Sequence, residues 1–393
     1  MRVLLSDGSG LTARQCATRL AAAGHSVHVL SSDPVCLCRF TRCVKGVRRV
    51  PPFGPDPPGW LDAALAVYAQ GGFDVLFPTQ EQVAVLAWAK VRLDAAGVRT
   101  VVPTFDALAE VQDKIAATAT LERLGLPQPH STLDARGWDR FPAFVKDPIG
   151  TASGGVRRVT TAEELREATR GRHVVVQEAV EGPLCMCQSV FDRGTLVAFH
   201  ANLRLAEGSR GGASHKRGVA LPGARDWFEV LGSHLSWHGA LSADVILTGD
   251  GPLFIDINPR LVEPQNAYLS GVDLVGAMLE LATGSHPAPQ AEGQVGVTTH
   301  QLLLAILGAA EHRGRRGVLI ELSQAVRHAD DYVTSTEELT PTTHDARSAL
   351  PVALATAATL ASPGSWTWFS SSSVSAYALT PEGWDTLRTL DPT

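Results

Sequence analysis

The segment SADVILTGDGPLFIDINPR, residues 242–260, holds the residue types best suited to chemistry. Gly249-Asp250-Gly251 reads as the turn of a β-hairpin. Strand side chains alternate faces, so Asp256 and Asn258 share one face with Phe254, while Leu253, Ile255 and Ile257 share the other. Asp244 falls on the partner strand, where the hairpin brings it alongside Asp256. Two carboxylates and an amide oxygen are hard oxygen ligands, suited to a Mg²⁺ ion that bridges phosphates. Arg260, two residues further on, reaches the same anion. A plain hairpin with an exposed acidic face is the competing reading. Against it, Asp and Asn are poor strand formers, and a place inside an apolar run calls for a reason.

Lysine usage narrows the search. The chain has 29 arginines and five lysines, Lys45, Lys90, Lys114, Lys146 and Lys216. In such a chain a lysine marks a need for a compact ammonium. Lys114 stands at the start of a helical pattern over 113–124 that Gly125 and Pro127 stop. Lys146 ends a strand, 142–146, just before the glycine-rich loop 147–155. Backbone N–H groups of that loop, Ser153 and Gly154 among them, can point at phosphate oxygens. The loop lies between two strands and not ahead of a helix, which argues against a Walker P-loop. Segment 201–222 carries Arg204, Arg210, His215, Lys216 and Arg217 among glycines and reads as a mobile basic loop over 205–222; Arg204 sits at a strand end before it.

These residues need a frame. Strands at 2–6, 26–30, 73–77 and 99–102 alternate with helices near 11–23, 59–70 and 80–96, which implies a parallel α/β sheet over 1–106. Strands at 142–146, 156–159 and 173–178 with helices at 113–124 and 162–169 make a small α+β unit over 107–178. Two hairpins, 185–204 and 241–258, with helices near 224–237 and 272–283, fill 179–286. Residues 287–393 shift to Pro, Gln, Ser and Thr and read as a small C-terminal α+β domain with short strands.

Composition excludes several classes. Hydrophobic residues make up 45% and charged residues 19%, enough to bury sizeable cores. The net charge of −6 and the lack of a long basic run speak against nucleic acid or an anionic membrane as main partner. No apolar stretch is long enough for a transmembrane helix. MRVLLSDGSG meets charge and glycine too early for a signal peptide and reads as a first strand, so the expected location is cytoplasmic. Cys36, Cys38 and Cys43 lack a CxxC knuckle, and the six cysteines read as small, mostly buried, reduced side chains. Gly8 and Gly10 follow a strand, but without a third glycine they make a weak dinucleotide signature.

DINPR after a hairpin with an acidic partner resembles the metal-binding strand of ATP-grasp ligases, which usually reads E-x-N-P-R; here Asp256 stands in place of Glu. The resemblance covers roughly residues 1–285. It implies a Rossmann-like N-terminal domain, then a two-lobed α+β ATP-grasp domain with nucleotide held between its lobes. By it, Asp244, Asp256 and Asn258 bind Mg²⁺, with Mn²⁺ as a substitute, and Arg260 binds phosphate. Lys114 and Lys146 resemble the family's two phosphate-contacting lysines. VVVQEAVEG, 174–182, is similar to the linker that grips adenine, through Gln177, Glu178, Ala179 and Val180. The family's ribose-binding Glu is replaced by Cys185, with Glu181 as a nearby substitute. Arg204 and Lys216 fall in a segment similar to the R…GG-x-S stretch of one branch, where cations act on the carboxylate or on the moving phosphoryl. The implied activity is ATP-dependent ligation of a carboxylate to an amine, such as an amino acid, by way of an acyl phosphate, with ADP and phosphate released. Phosphotransfer to another acceptor, ligation to a thiol or hydroxyl, and nucleotide binding without catalysis stay open, as does a homodimer.

Overall fold

The computed structural model describes residues 1–339 and 344–391. A first sheet is built from β1 (Arg2–Leu5), β2 (Ser26–Ser31), β3 (Val44–Arg49) and β4 (Val75–Phe77), all parallel, in the order β3-β2-β1-β4. Val3, Leu4, Leu5, Val27 and Val29 are fully buried, as parallel strands covered on both faces require. The strand β3 is absent from the sequence reading, because VKGVRR is a charged edge strand with little apolar alternation. The strand expected at 99–102 does not form; the Arg99 carbonyl accepts one bond from the Leu76 N–H at 2.9 Å beside β4.

A second, antiparallel sheet holds β5 (Ser131–Thr132), β6 (Ala143–Lys146), β7 (Val156–Val159) and β8 (Val175–Glu178), in the order β5-β8-β6-β7. Helix Ala162–Thr169 presses Leu165 and Ala168 onto Val145, Val159 and Val176. Thr161 caps it by accepting the Glu164 N–H at 3.2 Å.

The third sheet runs β13-β12-β9-β10-β11-β14-β15, with β9 (Leu184–Asp192), β10 (Thr195–Glu207), β11 (Ala213–Val219), β12 (Gly239–Thr248), β13 (Gly251–Asn258), β14 (Thr298–His300) and β15 (Thr336–Glu337). Two expectations fail here. Residues 205–222 are not a loop: β10 extends through Glu207, a single turn spans Ser209–Gly211, and β11 follows. Ser214, His215 and Lys216 are buried because β14 and the helix Leu302–Arg327 cover them, a long-range contact that local composition does not reveal. The C-terminal segment is also mostly helical: Leu302–Arg327, Ala349–Ala361, Trp366–Tyr377 and Pro381–Thr389. Its two short strands join the third sheet, and its last helix packs Trp384 and Leu387 into the core that holds Phe53 and Trp60.

Two histidines on the third sheet, His200 buried and His300 partly buried, each contribute a pH dependence. Burial pushes His200 and His300 down to about 4, while His200 Nε2 is bonded to the Asn266 amide oxygen at 2.7 Å. Their folded pKa values lie below the unfolded value, so the stability they confer is complete above pH 6.5 and is lost as pH falls toward 4. At pH 5.5 the unfolded chain gains about 1.4 kcal/mol per group. The carboxyls of Asp244 and Glu337, raised to about 7, act in the opposite sense over this range, so the histidine effect is read by difference: the urea midpoint of the wild-type chain relative to that of His200→Gln should fall between pH 7.5 and 5.5, and a constant difference would contradict it.

Candidate functional site

The hairpin β12–β13 is the centre. Asp244 pairs directly with Asp256 and Ser242 with Asn258. A bulge follows: Val245 pairs with Phe254, which leaves Ile255 as the extra residue. This corrects the strict alternation read from sequence. Phe254 lies in the core at 0% exposure, while Ile255, Asp256 and Asn258 all line one cavity with Asp244. The run Leu253-Phe254-Ile255, three apolar residues in succession, is the sequence signal that alternation breaks there.

Two carboxylates in directly opposed positions repel. Enclosure by the cavity wall, then the charge of Asp256, push Asp244 up to about 7; Arg260, Arg204 and Lys146 pull the other way. A proton on Asp244 or a cation between the two carboxylates relieves that repulsion. Among the described residues no group of three or more His, Cys, Asp or Glu side chains is placed to hold a metal by itself. Two carboxylates plus the Asn258 amide fit Mg²⁺, which keeps part of its shell for water and phosphate oxygens.

The two lysines approach from the second sheet. Lys146 is 8% exposed and donates to the Gln177 side-chain oxygen at 2.6 Å and to the Ile255 carbonyl at 2.7 Å. The bulge supplies that carbonyl, since the extra residue has no partner in the ladder. Burial is the main cause that lowers Lys146 to about 8; Asp256 resists, Lys114 adds to the fall, and Asp244 resists. Lys114 begins the helix Lys114–Arg123, with Asp113 as its cap, and reaches the Gly150 carbonyl at 3.0 Å and Asp256 at 4.0 Å. The glycine loop folds tightly over this end. A Cβ at Gly150 would lie 2.1 Å from the Gly154 carbonyl oxygen, and Ala152 and Ser153 both adopt left-handed backbone. Thr151 Oγ1 donates to Glu81 at 2.5 Å, which ties the loop to the N-terminal sheet's side of the cleft.

The strand end at β8 splits the expected adenine-contacting residues. Gln177, Glu178 and Val180 line the cavity, whereas Ala179 does not, its N–H being bonded to the Pro142 carbonyl at 3.0 Å. Cys185 is fully buried in the core, and Leu184 and Met186 face the cavity instead. Neither Cys185 nor Glu181 lines it.

Arg260 lines the cavity, close to Asp244. Arg204 sits behind it: its Nη1 donates to the Gly211 carbonyl at 2.7 Å and its Nη2 is 3.3 Å from Glu207. Lys216 is elsewhere. It is 1% exposed, outside the cavity lining, and ion-paired to Glu263 and, at 2.7 Å, to Glu338. Gln301 bonds both of these carboxylates, and Gln15 bonds Glu338 at 2.9 Å. Lys216 is thus a pin between the N-terminal helix, the third sheet and the C-terminal segment, which corrects its assignment as a free catalytic cation.

The cavity of about 830 Å³ runs from β8 past the hairpin to the C-terminal helices. Sequence reasoning missed Glu263, Tyr377 and the helix Trp366–Tyr377 as walls. That helix crosses the cleft: Ser373 donates to the Ser9 carbonyl at 2.9 Å, and Ser370 bonds Ser209 at 3.2 Å. No motif marks it, because its placement rests on these long-range contacts.

The family model of the ATP-grasp domain matches residues 111–264. Residues 111–264 form an ATP-grasp domain. Enzymes built on this domain use ATP and Mg²⁺. The trifunctional purine biosynthetic protein adenosine-3 of Gallus gallus is 26% identical over 212 residues, 44% of this chain and 21% of that protein, so the match spans about a fifth of its length. Among solved structures, the N5-carboxyaminoimidazole synthetase of Staphylococcus aureus is similar with a TM-score of 0.60 and 14% identity, over 83% of this chain and 86% of that one. The L-amino acid ligase of Bacillus licheniformis gives 0.56 and 17%, over 73% and 75%. The biotin carboxylase domain dimer of Hydrogenobacter thermophilus 2-oxoglutarate carboxylase, complexed with MgADP, ADP and bicarbonate, gives 0.58 and 16%, over 76% and 73%. At these identities the likeness is one of fold, and the ATP-grasp domain accounts for its centre. Among the described residues no helix is long and apolar enough to cross a membrane.

The two roles for Lys216 part on one measurement. A pin lost from between buried Glu338 and partly buried Glu263 should cost about 3–5 kcal/mol of stability. Lys216→Met should therefore lower the urea midpoint sharply; a variant with unaltered stability and lost turnover would restore the catalytic role.

Proposed function

We propose that this chain is an ATP-dependent ligase that activates a carboxylate as an acyl phosphate and joins it to an amine. The observation that carries the reading is the opposed pair Asp244 and Asp256 with Asn258, facing Lys146 and Lys114 across one cavity. A cavity with cations from one lobe and metal ligands from the other grips a polyphosphate from both sides. The fold shared with an L-amino acid ligase and with a biotin carboxylase domain is consistent with that chemistry.

In this reading Asp244, Asp256 and Asn258 would hold Mg²⁺, which when bound would supply charge neutralisation to the polyphosphate. Gln177 and Glu178 border the adenine end. Lys146, oriented by Gln177 and by the Ile255 carbonyl, donates to the phosphates. The loop over Gly150–Gly154 covers the γ-phosphate and keeps water out. Arg260 draws the substrate carboxylate beside the γ-phosphoryl, and Arg204 supports it through the Asp244 side. A carboxylate oxygen attacks the γ-phosphorus, the bond to the β-phosphate oxygen breaks, and ADP leaves. The amine then attacks the acyl carbon, and inorganic phosphate departs with the C–O bond electrons while the amine nitrogen sheds its proton. Each part serves positioning and charge neutralisation, so no side-chain nucleophile is needed.

Products decide the matter. ADP and inorganic phosphate should appear, and hydroxylamine in place of the amine should yield a hydroxamate. Asp256→Asn and Asn258→Ala should each lower turnover roughly 100-fold or more with the fold retained. AMP as the main product would refute the acyl phosphate route. ADP without hydroxamate across a broad panel of acids would favour phosphotransfer to another acceptor.

A further inference from the structure

The cavity continues past Arg260 and Glu263 toward the C-terminal helices, where apolar side chains make up most of its lining, with Asp33 and the serines Ser370, Ser372 and Ser373 among them. Helix Trp366–Tyr377 runs along this change of character. At one end Tyr377 lies within the electrostatic reach of Arg260 and Glu263. At the other, Trp368 and Phe369 line the cavity about 14 Å away, at 1.5 Å of rise per residue. Leu11 and Val35 from the N-terminal part, and Leu307 and Leu354 from the C-terminal helices, face the same space.

Water contact marks this arm as a ligand surface. Trp368 is 66% exposed, Val35 60% and Leu354 50%. Single apolar side chains in water are ordinary. Three of them lining one cavity from different elements are not, particularly over a packed floor of Leu303, Leu307 and Phe369. The arm is also held open by design of its contacts: Arg210 Nη2 donates to Ser371 at 2.6 Å, and Ser373 is bonded to the Ser9 carbonyl, so the helix is fixed at both sides of the cleft.

We infer that the acid substrate carries a bulky apolar body, aromatic or branched aliphatic, seated in this arm with its carboxylate beside Arg260. The inference rests on the ligase reading above and names its substrate class. The acid is assigned in preference to the amine because the end of the occupant nearest the phosphates meets Arg260, which attracts an anion, while the charge of Glu263 on the same wall is already met by Lys216.

The test uses the full chain with Mg-ATP and hydroxylamine in fixed excess, so that only the acid varies. Acetate, succinate, hexanoate and 3-phenylpropionate are compared. Burying an apolar body of that size is worth about 10- to 100-fold, so kcat/KM should rise by that factor from acetate to 3-phenylpropionate, and succinate should be poor. Trp368→Ala, at an exposed position that leaves the fold intact, should cut kcat/KM for 3-phenylpropionate about tenfold more than for acetate. Equal kcat/KM for acetate and 3-phenylpropionate would overturn the inference while the ligase reading stands. So would apolar discrimination that appears only when amines are varied against a fixed small acid. If no acid gives hydroxamate, the ligase reading fails, and calorimetry decides the arm separately. Binding of 3-phenylpropionate in the presence of Mg-ADP, weakened about tenfold by Trp368→Ala, would uphold an apolar acid site; no heat of binding in the wild-type chain would end it.

Discussion

The opposition of Asp244 and Asp256 across one hairpin is the constraint around which the cleft is built. Like charges in paired strand positions work against the sheet, and here they persist in a partly enclosed wall. The cost shows in Asp244, pushed up to about 7. Everything nearby answers to that charge: Arg260 and Arg204 on one side, Lys146 and Lys114 on the other. The bulge at Ile255 completes the arrangement. It brings Ile255 into the cavity wall beside Asp256 and gives the Ile255 carbonyl to Lys146, so one irregularity joins the acidic hairpin to the buried lysine.

The cleft depends equally on what closes its far side. The first helix, through Gln15, the third sheet and the C-terminal segment meet at the cluster of Lys216, Glu263 and Glu338. Glu263 belongs both to this cluster and to the cavity lining. The helix Trp366–Tyr377 carries the link outward, with serine hydroxyls that bond the turn after β1 and the turn after β10. Cavity lining and inter-element packing are thus made from the same residues.

Legibility in the sequence followed the range of the forces involved. Lys114, Lys146, Asp256 and Asn258 could be read because each sits at the end or on the face of an element with strong local signals: a cap and a stop around 113–125, an apolar strand before glycine, a Gly-Asp-Gly turn. Strand β11 could not, because ASHKRGV is polar and becomes buried only when β14 and the helix Leu302–Arg327 cover it. The same holds for Lys216, whose chemistry is set by Glu338, over a hundred residues away in the chain. The C-terminal helices were obscured by Ser and Thr, weak helix formers that here earn their place through contacts across the cleft.

The direct test of the central claim, that the opposed carboxylates hold a metal only together with nucleotide phosphates, is a titration of the full chain with Mn²⁺ followed by electron paramagnetic resonance. With a non-hydrolysable ATP analogue present, Mn²⁺ should bind tightly, and Asp244→Asn or Asp256→Asn should abolish that binding. Without nucleotide the wild-type chain should bind Mn²⁺ weakly, since two carboxylates and an amide fill only part of its shell. Equal Mn²⁺ affinity with and without the analogue, or tight ternary binding that survives both substitutions, would contradict it.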